Sequence, residues 1–148
     1  MNSLNFLDTN VWLALVWGRH SHAEIARSWF ANREDEQFLF CRFTQLTLLR
    51  LLTTQAIMGQ DVKSMRGAWE IYDQCVADDR ISFLQEPAGL EPPLRSFSQS
   101  RTASPKQWAD AYLAAFASAA GLRLVTFDKG FRSKPVECLV LDSKGRHA

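Results

Sequence analysis

A chain of 148 residues with 47% apolar and 22% charged side chains suits one globular domain, residues 1–148, with one substantial core, and excludes a disordered chain. A net charge of +1 excludes a global attraction to nucleic acid or acidic membranes, and no apolar run approaches the roughly 18 residues of a membrane span. Cys41, Cys75 and Cys138 are odd in number and share no metal-ligand spacing, and the first residues lack a basic stretch leading into an apolar signal core, so a reducing cytoplasm is expected.

In chain order, "LNFLD" (4–8) predicts a first strand that ends on an acid, and "NVWLALVWG" (10–18) continues apolar to a stop at Gly18. "SHAEIARSWFANRE" (21–34) places Ile25, Trp29 and Phe30 on one helical face, with Ser21 and Glu24 as a capping box. "QFLFCR" (37–42) predicts the second strand, and "TQLTLLRLLTTQAI" (44–57) a helix by its length and leucine spacing. "DVKSMRGAWEIYDQCVA" (61–77) predicts another helix, with Met65, Trp69, Tyr72 and Val76 at spacings of three and four; "RISFLQ" (80–85) predicts the third strand. Residues 86–105 hold four of the five prolines and read as a loop-rich connection in which Leu90, Leu94 and Phe97 anchor a short helix. "SPKQWADAYLAAFASAAG" (104–121) is the clearest helix: Ser104 caps it, Pro105 takes the first position, Gln107 completes a capping box and Gly121 ends it. "LRLVTFD" (122–128) and "ECLVLD" (137–142) predict strands four and five. Short apolar strands alternating with helices predict an α/β fold on a mainly parallel sheet.

In such sheets, ligands bind beyond the carboxyl ends of the strands. Strand one finishes at Asp8 and strand four at Asp128, and a third acid, Asp110, lies in the late helix among Trp108, Ala109, Ala111 and Tyr112. An aspartate in that company is partly buried, and a buried carboxylate needs a partner. A divalent cation serves all three acids at once: Mg²⁺ or Mn²⁺ takes oxygen ligands, keeps several waters and needs few carboxylates. A metal-activated water would then attack a phosphodiester, with Asn10 steadying the ligands. Each acid also has a structural reading. Asp8, Thr9 and Asn10 form a helix cap or Asx-turn, Asp110 pairs with Lys106, and Asp128 belongs to a turn.

"FLDTNVW", "SPKQWADAYLAAFA" and "LVTFDKGF" together resemble the PIN-domain ribonucleases, in particular the VapC-type toxins of toxin–antitoxin pairs, and the resemblance covers almost the whole chain. It implies a three-layer α/β/α fold with a sheet of about five strands, a Mg²⁺- or Mn²⁺-dependent endoribonuclease, a small antitoxin that blocks the site, and a homodimer. By position, Asp8, Asp110 and Asp128 match family acids that hold the metal, and Asn10 and Thr44 match polar companions of that shell. One departure is clear. The family pattern Thr–x–x–Glu reads "TQLT" here, so Thr47 stands where a glutamate is expected, and no acid occurs from Gln37 to Gln60.

The expected activity is therefore hydrolysis of single-stranded or loop RNA by a metal-activated water. The alternatives are a catalytically weakened PIN-like module that binds RNA or protein, and an aspartate-nucleophile phosphatase, which Asn10 disfavours because such enzymes resemble Asp–x–Asp. Residues 123–148 carry a net of about +3 and form either a phosphate-contacting edge or a solvated tail. Arg50 reads as a salt-bridge partner or a phosphate contact. His20 and His22 lack a cysteine or third histidine for a zinc site, as does His147 near the end. The tryptophans at 12, 17, 29, 69 and 108 read as core or interface, and the apolar segment 10–34 as core with a share for a dimer or antitoxin surface.

Overall fold

The computed structural model describes residues 2–142, so Lys144, Arg146 and His147 lie outside it. Five strands form one sheet: β1 (Leu4–Leu7), β2 (Gln37–Phe40), β3 (Ile81–Phe83), β4 (Arg123–Thr126) and β5 (Cys138–Val140). Their order is β3-β2-β1-β4-β5 and every pairing is parallel. The helices are α1 (Thr9–Val16), α2 (Ala23–Ala31), α3 (Arg42–Leu52), α4 (Gln55–Met58), α5 (Met65–Val76), α6 (Glu91–Phe97) and α7 (Gln107–Ala120).

Both faces of a parallel sheet are covered, so its strands are apolar throughout, with successive side chains parting to opposite sides. Leu7, Phe38, Phe40 and Val125 meet residues of α1, α2, α3 and α5 on one face, where Trp12 stacks on Phe40 with ring centroids 3.7 Å apart. Phe6, Leu39 and Leu124 meet α7 on the other, where Phe6 stacks on Phe116 at 4.7 Å. This is the three-layer α/β/α arrangement. Each such large side chain, fully buried, contributes about 1.5–3 kcal/mol.

The strand order has a consequence for function. From β1 the chain moves outward through β2 to β3, then returns across β1 to β4 and β5. The reversal lies between β1 and β4, the place at which open α/β sheets form their ligand crevice beyond the carboxyl ends of the strands.

Several helix ends differ from the sequence expectation. The run 44–57 splits into α3 and α4, because the Thr53 and Thr54 hydroxyls bond back to the carbonyls of Leu49 and Arg50 and compete with the helical ladder. Ser21 does not cap α2, which starts at Ala23 with His22 at the cap position and no side-chain cap bond. Ser104 does not cap α7 with its side chain either: its backbone carbonyl accepts the Gln107 N–H in a turn before the helix. Gly121 does end α7, in the left-handed region at φ 69°, where its N–H reaches the carbonyls of Ala117 and Ser118. Among the described residues, no helix is long and apolar enough to cross a membrane.

Candidate active site

Asp8 follows the last residue of β1 and serves as the N-cap of α1. Its Oδ1 accepts the Thr9 N–H at 2.7 Å and its Oδ2 accepts the Thr126 hydroxyl at 2.9 Å. The same Thr126 oxygen accepts the Asp128 N–H at 3.0 Å. Thr126 is fully buried at the end of β4, so one hydroxyl ties the first acid to the backbone of the third across the β1–β4 crevice. Asp128 in turn caps the 3-10 turn Lys129–Ser133, its Oδ1 accepting the Gly130 N–H at 2.8 Å. A Cβ at position 130 would lie 3.1 Å from that oxygen, so glycine lets the amide approach. Asp110 sits in the first turn of α7, half-buried.

Electrostatics place the three acids within one another's fields. Burial holds the Asp8 carboxyl above its usual range, the Thr126 hydroxyl and Thr9 N–H draw it back, and the charges of Asp110 and Asp128 push it up again. Burial also raises Asp110, followed by the charge of Asp128, while Lys134 and Lys106 draw it down. Lys106 thus reaches Asp110 as a field, yet among the described residues neither it nor any arginine forms an ion pair with Asp8, Asp110 or Asp128.

The polar companions fare differently. Asn10 is exposed on α1, two residues from Asp8. Thr44 is fully buried and its hydroxyl is spent on Cys41: it accepts the Cys41 N–H at 3.0 Å and donates to the Cys41 carbonyl at 3.1 Å, which caps α3. Thr47, at the position where a glutamate is expected, shares a hydroxyl–hydroxyl hydrogen bond with Thr9. Position 47 therefore lies beside the acids, and the charge it lacks is lost from the site itself. Thr126 and Gly130 escaped the sequence reading. Their only signal was position, in "TFDKG" around Asp128.

The donor set has a clear chemical preference. Among the described residues no three His, Cys, Asp or Glu side chains stand close enough together to hold a metal ion by themselves. Carboxylate oxygens at the carboxyl edge of the sheet suit a hard cation that keeps most of its water and takes only one or two protein carboxylates.

The apolar segment 10–34 packs as core, and the exposed apolar surface lies elsewhere. Trp12 and Trp29 are buried, and the large exposed side chains include Leu46, Ile57, Met65 and Trp69 on α3, α4 and α5, with none from 10–34. Arg50 forms no ion pair among the described residues and lines an apolar groove with Leu46, Met65 and Trp69.

Comparison with known proteins identifies the family and the fold. The chain is 43% identical over 129 residues to Ribonuclease VapC41 of Mycobacterium tuberculosis, covering 84% of this chain and 88% of that protein. Its fold matches VapBC2 from Rickettsia felis, solved with a DNA fragment from their promoter, at a TM-score of 0.68, with 14% identity over 93% of this chain and 98% of that one. It also matches Mycobacterium tuberculosis VapC20, a Sarcin-Ricin loop cleaving toxin, at 0.65, with 17% identity over 89% and 95% of the two chains. The family model described as PIN domain matches residues 6–137, and with that coverage and the VapC41 identity the chain belongs to the PIN-domain family.

Proposed function

We propose that this PIN domain is a metal-dependent endoribonuclease, the toxin of a toxin–antitoxin pair, and that Asp8, Asp110 and Asp128 hold its divalent cation. One observation carries the metal reading: the Thr126 hydroxyl joins the Asp8 carboxylate to the Asp128 backbone, with Asp110 in their field and no lysine or arginine ion-paired to any of the three among the described residues. When bound, Mg²⁺ or Mn²⁺ neutralises that repulsion, acts as a Lewis acid on the scissile phosphate and lowers the pKa of a water.

The chain's own residues prepare the site for it. Thr126 and the Thr9 N–H fix the Asp8 carboxylate, so its oxygens stay aimed into the crevice. Gly130 fixes Asp128 in the same way. Lys106 and Lys134, whose charges reach Asp110, supply positive potential for the flanking phosphates of an RNA strand. Asn10, exposed beside Asp8, steadies water or phosphate oxygens at the rim. Thr44 contributes by capping α3, which carries Thr47 to Thr9.

The partners of this reading are single-stranded or loop RNA, a cognate antitoxin and a second copy of the chain, in the cytoplasm. The exposed Leu46, Met65 and Trp69, around a groove of about 290 Å³, supply an apolar surface for a protein partner.

The test mixes purified protein with a structured RNA in Mn²⁺, then in excess EDTA. Cleavage that EDTA and Asp8→Asn both abolish supports the nuclease. Thr47 favours one other reading, a weakened module that only binds. RNA retained without cleavage, indifferent to both changes, would establish it.

A further inference from the structure

The α1–α2 loop returns to the acid-bearing edge of the sheet, and it brings rings with it. His22 lies against Phe127 with ring centroids 4.6 Å apart, and His20 against the same ring at 6.1 Å, nearly parallel at 25°. The two imidazoles are 5.8 Å apart, and Trp17 meets His20 edge-on at 6.3 Å. Phe127 occupies the single position between Thr126, which holds Asp8, and Asp128. His20, His22 and Phe127 are all half-buried, so the cluster is part of the surface.

The loop that carries the histidines is held in place. His20 Nδ1 accepts the His22 N–H at 3.0 Å, which fixes one ring against the backbone of the other. Trp17 Nε1 donates to Asp61 Oδ2 at 2.8 Å, and Arg19 meets the same carboxylate at 3.4 Å, anchoring the loop's entry. Two imidazoles beside each other with no cysteine or carboxylate among their ring contacts are a poor metal site. Burial, then the neighbouring His22, holds His20 below its ordinary pKa and therefore neutral at neutral pH, which suits a stacking face better than a phosphate contact.

We propose that His20, His22 and Phe127 form a stacking subsite for an unpaired nucleobase flanking the scissile phosphodiester, an inference that rests on the ribonuclease reading above. The occupant follows from continuity: a strand whose phosphate lies at Asp8 and Asp128 carries its bases past the residue between their two supports. Aromatic faces bind bases with little sequence preference, so this subsite selects for an unpaired base. Stacking is present in the ground and transition states alike, so it acts on KM and leaves kcat.

The experiment first maps the cut that the wild-type protein makes in a random-sequence RNA pool with Mn²⁺. It then measures steady-state cleavage of a fluorescein-labelled 12-mer centred on that cut, with an abasic ribose placed at each position in turn. In the wild type, one abasic position beside the cut raises KM about tenfold with kcat unchanged. In His20→Ala/His22→Ala the full-base RNA shows the raised KM, and the same abasic position costs nothing more. His22→Phe retains the wild-type KM, and Phe127→Leu, which keeps the apolar packing, behaves as the double variant does. Abasic penalties equal in wild type and variants would overturn the subsite and leave the nuclease standing. Absence of Mn²⁺-dependent cleavage by the wild type would remove the nuclease reading and the subsite with it.

Discussion

The two edges of the sheet treat negative charge in opposite ways. At the amino edge, Glu36 accepts hydrogen bonds from Asn5 Nδ2 at 2.8 Å and Arg123 Nη2 at 2.9 Å, and Arg123 also donates to Asn5 Oδ1 from two nitrogens at 2.9 and 2.6 Å. Asn5 is fully buried, Arg123 is 9% exposed and Arg33 meets the other Glu36 oxygen at 3.8 Å, so the cluster is an ion-paired network that joins β1, β4 and the segment before β2. At the carboxyl edge, Asp8, Asp110 and Asp128 share a field, Asp8 and Asp128 hold hydrogen-bond donors, and none of the three is ion-paired among the described residues. The first arrangement is complete within the chain and serves the fold. On the reading proposed above the second takes its cation from outside, and that difference separates a stabilising charge cluster from a reactive one.

Substitutions at the two edges should therefore fall into separate classes, and the largest effect belongs to activity. Asp8→Asn and Asp110→Asn are expected to lower kcat/KM for RNA by about a thousandfold, ~4 kcal/mol of transition-state stabilisation, while circular dichroism shows a native fold. Retention of more than a tenth of the activity in either variant would dissolve the distinction between the edges. The matching change at the amino edge acts on stability. Arg123→Met removes the nearer of Glu36's two cations, leaving Arg33 at 3.8 Å, and should cost about 2 kcal/mol in urea unfolding, less than a fully buried lone pair because Glu36 is partly exposed and keeps that second partner. Mn²⁺ affinity should be unchanged.

The acids were legible in the sequence because their positions follow from elementary rules. Asp8 and Asp128 end apolar strands, and Asp110 interrupts an apolar helix, so each stands out against its surroundings. The hydroxyls were not legible in this way. A threonine at a strand end reads as an ordinary β-branched residue, so nothing in "LVTFD" distinguished Thr126 from a plain strand former, although its hydroxyl joins two of the acids. Thr44 was read as facing the site, yet α3 begins two residues earlier than its leucine spacing suggested, and that shift turned its hydroxyl back onto Cys41. Caps at Ser21 and Ser104 failed for a related reason: the preferred residue types were present, but the cap position fell one residue further on at His22 and two further on at Lys106. The fold was more legible than these details because alternating side-chain burial is a property of many residues at once, whereas a single hydroxyl bond depends on one rotamer.

Thr126 also offers a finer probe of the carboxyl edge. Thr126→Val keeps the shape and the burial and removes the donor to Asp8 Oδ2. Freed of that bond, the carboxylate samples orientations that do not face the crevice. Mn²⁺ affinity, followed by calorimetry, should fall about tenfold, the lower end of what losing a hydrogen bond to a metal ligand costs. An unchanged affinity would make Thr126 a strand residue whose hydroxyl merely satisfies its own burial.

The smallest effect is also the one whose sign most separates the edges. Burial, then the charge of Asp128, holds the Asp110 carboxyl above its usual range. A group with a raised folded pKa binds its proton more tightly in the fold than in the unfolded chain, so it destabilises the metal-free protein at neutral pH. That penalty is relieved as pH falls through the folded pKa. Asp110→Asn removes the charge permanently. Metal-free, the variant should melt about 1–3 °C above the wild type at pH 7, with the gap closing toward about pH 4 as the wild-type carboxyl takes up its proton. Saturating Mn²⁺ should reverse the order, because the cation stabilises only the chain that binds it well. At the amino edge Arg123→Met should stay the less stable protein at pH 7 with or without Mn²⁺, since the wild-type Glu36 has its cations within the fold. A metal-free Asp110→Asn protein that melts below the wild type at pH 7 would mean that Lys106 and Lys134 already compensate the acid, and that the carboxyl edge is as self-contained as the amino one.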